Sequence, residues 1–139
     1  MEFYTLASSS AGNAALVCHE NTHILIDVGI SCRRITQSLA ALSLTLDDLD
    51  GILITHEHID HVRALGTLQK KHAIPLYASF GTAAAISYPA PYLHAFAADE
   101  TFTIKDLQIR SFRTSHDAKE SVGYRIAVSY THLTLPTIR

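Results

Sequence analysis

The chain has 139 residues, a formal net charge of −2 at pH 7 and a hydrophobic fraction of 47%. This length corresponds to one domain, and the apolar content is sufficient for a buried core. The near-neutral charge provides no general basic surface, so composition neither supports nor excludes a nucleic-acid partner. Apolar runs are too short for a membrane span, and the first residues lack the pattern of a signal peptide. These features predict a cytoplasmic protein with no membrane partner.

The spacing of apolar residues predicts strands and helices that alternate at first, followed by strands alone. In chain order, the predicted strands are residues 2–7, 14–18, 23–27, 51–55, 75–78, 101–104, 107–114 and 121–128. The predicted helices are residues 31–42, a short turn near 45–48, 61–71 and 82–87. Residues 8–13 are predicted to form a small polar loop, and residues 88–91 contain two prolines that interrupt regular structure. This order favours a layered α/β sandwich (α+β in its later part) over a doubly wound sheet.

A cluster of possible metal ligands follows the predicted strand at 51–55. Residues His56–His61 read HEHIDH, which places three imidazoles and one aspartate within six residues. Imidazole and carboxylate together suit Zn²⁺, Mn²⁺ or iron better than Ca²⁺. His56 and His58 are two residues apart and would lie on the same side of an extended turn, whereas Glu57 would point away. The alternative is a histidine-rich surface loop that binds no metal.

These residues also resemble a known family. Residues Thr55–His61 resemble the HxHxDH signature of the metallo-β-lactamase-fold hydrolases, which hold one or two metals at the edge of an αββα sandwich. Residues 22–29 (THILIDVG) resemble the family's strand that ends in Asp and Gly, and residues 111–117 (SFRTSHD) resemble the strand that brings a third histidine. Residues 6–13 (LASSSAGN) are similar to a loop of the WalJ-type (YycJ-type) branch, whose members are DNA exonuclease-like phosphodiesterases.

The resemblance implies a set of metal ligands. His56, His58 and His116 would bind a first metal, and Asp60 and His61 would bind a second. The expected cofactors are one or two divalent ions, Zn²⁺ or Mn²⁺. Asp60 would also be catalytic, because it would orient the nucleophile as well as bind metal.

Three further residues are candidates for supporting roles. Asp27 is expected either to hold the metal ligands in position without binding the metal, or to act as a turn former at the end of its strand. Ser10 and Asn13 are candidates for substrate contact through a loop whose backbone amides bind phosphate. A purely structural tight loop is the alternative for both residues.

The resemblance covers residues 1 to about 128, which correspond to about half of the family's sandwich. The chain is therefore expected to be a truncated, N-terminal part of a metallo-β-lactamase-fold domain. Residues 129–139 are expected to be a non-native tail, with a divergent strand as the alternative. The resemblance places a bridging carboxylate and a final histidine on later strands. An uncovered sheet would also be expected to self-associate.

Three functions remain open from the sequence. The first is a phosphodiesterase, a DNA exonuclease that uses a metal-activated hydroxide. The second is a metallohydrolase that acts on a carbonyl substrate such as a thioester or lactam. The third is an inactive fragment that binds metal without turnover. Residues 8–13 and 114–118 favour the first function, with DNA as the substrate.

Overall fold

The structure is a computed structural model that describes residues 1–86, 90–115 and 118–128, together with the backbone of a two-residue strand at 133–134. Its first sheet has six strands, and these follow one another in space as they do in the chain. The first three are antiparallel, and the third to the sixth are parallel. The strands are β1 (Glu2–Ser9), β2 (Gly12–His19), β3 (Thr22–Val28), β4 (Gly51–Leu53), β5 (Leu76–Ser79) and β6 (Leu93–Phe96).

The second sheet is antiparallel and is formed by the later part of the chain. Its strands are β7 (Thr101–Ile104), β8 (Leu107–Arg113), β9 (Val122–Val128) and β10 (Leu133–Thr134), in the spatial order β10-β9-β8-β7. The helices are α1 (Cys32–Ala41), a 3₁₀ helix (Leu46–Asp48), α2 (Ile59–Val62), α3 (Leu65–Lys71) and α4 (Phe80–Ala85). In the described parts of the chain, we find no helix that is both long and apolar enough to cross a membrane.

Two apolar cores lie on opposite faces of the six-stranded sheet. Successive side chains of a strand point to opposite faces, so β4 contributes to both cores. Ile52 packs with the residues of the helices, whereas Leu53 packs with residues of the second sheet. Both side chains are fully buried. The result is a helix–sheet–sheet arrangement, which confirms the predicted α/β fold class and the predicted partial αββα sandwich.

The predicted helix at 61–71 was wrong in one respect, because the structure divides it into α2 and α3. The break lies at Arg63 and Ala64. The backbone N–H of Ala64 donates to the carbonyl of Val28 at 2.9 Å, a distance typical of such bonds. A tertiary hydrogen bond to the end of β3 thus replaces a helical one, and it fixes the chain leaving α2 against the first sheet.

Two other predicted elements differ from the structure. The predicted loop at 8–13 is shorter, because β1 and β2 pair as far as Ser9 and Gly12 and leave only Ser10 and Ala11 in the turn. Strand β6 was not predicted, since its residues do not alternate between buried and exposed: only Phe96 is buried. The sequence signal is weak there because β6 lies at the end of the sheet order.

Two predictions fall on residues that the structure does not describe. His116 lies outside the described residues. In the tail, only the pairing of β10 with β9 is described, with Leu133 opposite Val128. The predicted non-native origin of residues 129–139 and the predicted division at residue 128 therefore stay predictions.

Gly29 allows the first turn of α2 to lie very close to the residue that follows β3. A Cβ atom added at Gly29 would lie 1.6 Å from the carbonyl oxygen of Asp60 and 2.2 Å from its carbonyl carbon. Both atoms belong to the backbone, so the contact could not be relieved by a side-chain rotation. Any other residue at position 29 must displace the segment that carries the predicted metal ligands.

We expect Gly29→Ala to destabilise the protein, because the added methyl group overlaps the backbone of Asp60. The loss in the free energy of unfolding should be at least about 1–3 kcal/mol, the usual cost of overpacking. Urea denaturation measures it. Gly66→Ala in α3 is the matched control, since alanine is favoured over glycine in a helix and should not destabilise. Equal stability of Gly29→Ala and the wild type would contradict the close approach.

Candidate metal centre

The candidate metal centre lies at the carboxyl ends of two adjacent parallel strands. β3 and β4 pair in parallel, with Ile26 opposite Leu53. Asp27 follows at the end of β3, and the segment Thr55–His61, here called the ligand loop, follows β4. Side chains that leave the same ends of neighbouring parallel strands meet at one edge of the sheet. The fold therefore brings Asp27 to the ligand loop across a gap of about thirty residues in the chain.

Four predicted ligands of the ligand loop lie together. His56, His58 and Asp60 each offer a ligand atom, and these atoms lie within 4.8 Å of one another. The ring of His61 is 3.9 Å from that of His56 between centroids, and its Nε2 is 3.5 Å from Oδ2 of Asp60. His56 is buried and His58 is exposed, so the group spans from the interior to the surface. Since His116 lies outside the described residues, its place in the group stays a prediction.

Asp27 is held with its side chain directed at the ligand loop. In the pairing of β2 with β3, Ala14 lies opposite Val28 and Ala15 opposite Ile26, so Asp27 is an extra residue in a β-bulge. Its φ of 62° is left-handed, a conformation that aspartate tolerates better than most residues. Bulges redirect a side chain locally. The side chain of Asp27 is almost fully buried, and it receives three hydrogen bonds from the ligand loop.

The carboxylate of Asp27 determines which nitrogen of His61 carries a proton. An ionised carboxylate only accepts hydrogen bonds, so Nδ1 of His61, which is 2.6 Å from Oδ2 of Asp27, must be the donor. Nε2 is then the nitrogen of His61 that is available to a metal. Burial lowers the pKa of His61, but the hydrogen bond and charge of Asp27 and the charge of Asp60 outweigh burial and raise that pKa above its ordinary value. A metal ion competes with a proton for Nε2.

The same carboxylate orients His56 through Thr55. The backbone N–H of Thr55 donates to Oδ1 of Asp27 at 2.8 Å, and the hydroxyl of Thr55 donates to Oδ2 at 2.7 Å. The hydrogen of that hydroxyl is donated to Asp27, so towards Nδ1 of His56, which lies 3.0 Å away, the hydroxyl oxygen can only act as an acceptor. His56 therefore also carries its proton on Nδ1. Two imidazoles of fixed tautomer next to an aspartate fit a divalent ion such as Zn²⁺.

Asn13 braces the ligand loop from the β1–β2 hairpin. Its amide nitrogen donates to the backbone carbonyl of Ser9 at 2.9 Å and to the backbone carbonyl and Oδ2 of Asp60, both at 3.3 Å. It also lies 3.3 Å from Nε2 of His61. Ser10 is exposed in the turn of the hairpin. Substrate contact by Ser10 or Asn13 stays a prediction, but the amide of Asn13 already contacts two predicted ligands.

Two contributions to the site could not be assigned from the sequence. Thr55 is part of the sequence motif, but the role of its hydroxyl between Asp27 and His56 depends on the pairing of β3 with β4. Tyr124 in β9 is fully buried, and its hydroxyl donates to the carbonyl of Ile54 just before the ligand loop. Burial and the charge of Asp27 raise the pKa of Tyr124 well above its usual range, so the phenol keeps the proton that it donates.

A second group of possible ligands lies at the other end of β3. His19, Glu20 and Asp106 offer ligand atoms within 4.8 Å of one another, where the β2–β3 turn meets the β7–β8 turn. Nε2 of His19 is 3.4 Å from Oδ2 of Asp106, and the hydroxyl of Thr22 donates to Oδ1 of Asp106 at 2.8 Å. These contacts join the two sheets at the end of β3 that is opposite to the ligand loop.

Comparison with known proteins agrees with the predicted resemblance. A model of the metallo-beta-lactamase superfamily matches residues 9–137. Exodeoxyribonuclease YycJ of Bacillus anthracis is 34% identical over 129 residues, which cover 89% of this chain and 49% of that protein. Exodeoxyribonuclease WalJ of Streptococcus pneumoniae is 38% identical over 132 residues, with the same two coverages of 89% and 49%. The chain thus spans about half the length of the curated relatives that it matches.

The fold has solved counterparts. The crystal structure of MEM-A1, a subclass B3 metallo-beta-lactamase isolated from a soil metagenome library, matches with a TM-score of 0.75. The match covers 96% of this chain and 60% of that one, at 21% sequence identity. At this identity the similarity shows the shared fold alone. With a family model that matches most of its residues, the chain belongs to the metallo-β-lactamase superfamily.

Proposed function

We propose that the protein is a metal-dependent hydrolase that cleaves phosphodiester bonds of DNA. The observation that carries this proposal is the convergence of His56, His58 and Asp60, whose ligand atoms lie within 4.8 Å of one another. Asp27 orients His61, and through Thr55 also His56, so the imidazoles are prepared for an ion before one binds. A preoriented set of this kind is expected of a catalytic centre.

The residues of this chain have separate roles in the proposed reaction. His56, His58, Asp60 and His61 would hold one or two divalent ions, Zn²⁺ or Mn²⁺, and His116 is proposed as a further ligand. Such ions supply Lewis-acid activation of water and neutralise phosphate charge. Asp60 is half-buried at the surface side of the group, where it can accept a hydrogen bond from an attacking water and orient it. Asp27 keeps the imidazoles of His61 and His56 in position by its hydrogen bonds to His61 and to the hydroxyl of Thr55.

DNA is proposed as the substrate because two relatives that match nearly the whole chain are named exodeoxyribonucleases. The net charge of −2 gives the chain no general attraction for a polyanion. Recognition of DNA would therefore depend on the metal ions and on local contacts at the site rather than on the overall field. Cytoplasmic location and self-association through an uncovered sheet stay predictions.

A second candidate is a metal-binding protein without turnover. It is favoured by one observation: the chain spans only about half the length of its curated relatives. Within residues Met1–Arg139, we expect about one ion to bind tightly and a second to bind weakly. On this account hydrolysis by these residues alone is weak. Hydrolysis of a thioester or another carbonyl substrate is the remaining alternative.

The proposed function is tested with the full-length parent protein and with the chain Met1–Arg139, each loaded with Mn²⁺ or Zn²⁺. We expect the parent protein to degrade linear duplex DNA in a metal-dependent way and to cleave no thioester of a panel, with His58→Ala abolishing the DNA activity. For Met1–Arg139 alone we expect bound metal with weak or no turnover. The His58 ring is exposed, so its removal should leave the fold intact. Gel analysis of DNA and measurement of bound metal are done on the same samples. Thioester cleavage with intact DNA would reverse the ranking, and bound metal with no turnover would favour the second candidate.

Asp27→Asn should weaken metal binding, although residue 27 is not expected to touch the ion. The amide nitrogen that replaces one oxygen donates hydrogen bonds. In place of Oδ2 it faces both the Thr55 hydroxyl and Nδ1 of His61 with the wrong polarity, and in place of Oδ1 it faces the backbone N–H of Thr55 with the wrong polarity. We expect Zn²⁺ affinity to fall by about 10–100-fold, the usual effect of losing such a partner. Competition with a chelator measures it. Asp47→Asn, at a side chain that is 92% exposed, is the control and should bind as the wild type does.

A further inference from the structure

The end of β3 that is opposite to the ligand loop carries a second group of side chains able to bind a metal ion. His19 ends β2 and Glu20 begins the turn that follows it, whereas Asp106 lies in the turn between β7 and β8. Each of the three offers one ligand atom, and these atoms lie within 4.8 Å of one another. The seven residues of β3 separate the two ends of the strand by about 20 Å. This group and the ligand loop therefore cannot share an ion.

The distance between His19 and Asp106 matches a shared ion better than a shared proton. Nε2 of His19 lies 3.4 Å from Oδ2 of Asp106. A hydrogen bond from an imidazolium N–H to a carboxylate is shorter, usually about 2.7–2.9 Å. Two ligand atoms of a tetrahedral Zn²⁺ ion lie about 3.3–3.6 Å apart, because the bonds from nitrogen or carboxylate oxygen to zinc are about 2.0–2.2 Å long. The two side chains are thus spaced as a pair of zinc ligands would be.

The carboxylate of Asp106 is held in place by β3. The hydroxyl of Thr22, a buried residue, donates to Oδ1 of Asp106 at 2.8 Å, while Oδ2 faces His19. Hydrogen bonds of this kind orient the carboxylate ligands of metal sites. The side chains of His19 and Asp106 are 15% and 26% exposed, and Glu20 is exposed. An ion would therefore be partly shielded from water on the side of the strands and could enter past Glu20.

The neighbouring lysine is directed at a different carboxylate. Lys105 precedes Asp106, but its ammonium pairs with Oδ1 of Asp50 at 2.9 Å and donates to the carbonyl of Asn21 at 3.0 Å. The group thus offers an ion two carboxylates and one imidazole. Imidazole together with carboxylate suits Zn²⁺, whereas Ca²⁺ takes oxygen ligands.

We propose that His19, Glu20 and Asp106 form a second Zn²⁺ site, whose ion joins the β2–β3 turn of the first sheet to the β7–β8 turn of the second. The role of this ion is structural, because its ligands come from turns at the end of the sheets away from the ligand loop. It is additional to the one or two ions expected at the ligand loop, and it does not depend on the proposed hydrolysis. The sequence could not indicate the site, because Thr22 and Asp106 are 84 residues apart in the chain.

A Zn²⁺ titration followed by the amide NMR signals of individual residues tests the proposal, because the two sites give separate signals. In His58→Ala, which lacks one imidazole of the ligand loop, the signals of residues 19–22 and 105–107 should still shift and saturate. Adding Glu20→Gln removes one carboxylate at an exposed position, so the fold should remain. We expect the Zn²⁺ affinity measured from these signals to fall by at least about 10-fold, the lower limit for losing even an indirect partner of a metal. Glu100→Gln, at another exposed glutamate, is the matched control.

Urea unfolding tests the structural role without any assay of activity. An ion that binds only the folded chain stabilises it, so Zn²⁺ should raise the urea midpoint of His58→Ala. The increase should be smaller in the double variant His58→Ala/Glu20→Gln. Because the comparison is between increases caused by Zn²⁺, any difference in stability between the metal-free variants cancels. If Glu20→Gln does not fold, Asp106→Asn replaces it, since it also removes one carboxylate from the group.

Three results would overturn this inference. The first is that the signals of residues 19–22 and 105–107 do not shift with Zn²⁺, or shift without saturating. The second is an equal, saturating response to Ca²⁺, which would mean that the carboxylates alone attract a cation. The third is an unchanged Zn²⁺ affinity in Glu20→Gln. Absence of Zn²⁺ binding at the ligand loop of the wild type, with saturating shifts at residues 19–22, would overturn the proposed function and leave this inference standing.

Discussion

The arrangement of the candidate centre depends on one constraint: an ionised carboxylate can accept hydrogen bonds but cannot donate them. The carboxylate of Asp27 therefore determines which of the neighbouring groups act as hydrogen-bond donors. The backbone and hydroxyl of Thr55 must donate to it, and so must Nδ1 of His61. The hydroxyl of Thr55 is then left to accept from His56. A single buried side chain thus orients two imidazoles, one directly and one through a hydroxyl.

The backbone places this carboxylate by three separate means. Parallel pairing of β3 and β4 brings the ends of both strands to one edge, and the bulge at Asp27 turns its side chain towards the ligand loop. Gly29 leaves room for the backbone of Asp60. The second sheet contributes from the opposite side, through the hydroxyl of Tyr124 on the carbonyl of Ile54. The ligand loop is therefore held by both sheets, although its residues follow only one of them.

What could be predicted from the sequence is what is local in the chain. The candidate ligands from His56 to His61 could be proposed because they occupy six consecutive residues, and most strands were predicted because their apolar spacing is internal to each strand. The break before α3 could not be predicted, because it follows from a hydrogen bond between Ala64 and the distant Val28. The same holds for Asp27: its residue type allowed two roles, and only the register of β3 against β4 shows that it meets the ligand loop.

The order of strands has a consequence for synthesis of the chain. All six strands of the first sheet lie between Glu2 and Phe96, and each neighbours the next one along the chain. Because a nascent protein emerges from the ribosome N-terminus first, this sheet and its helices can assemble while β8 and β9 are still being made. During that interval the apolar face formed by Val17, Ile24 and Leu53 has no second sheet to cover it. A nascent chain at this stage would present a surface that molecular chaperones bind, and the carbonyl of Ile54, just before the ligand loop, would still lack the bond from Tyr124.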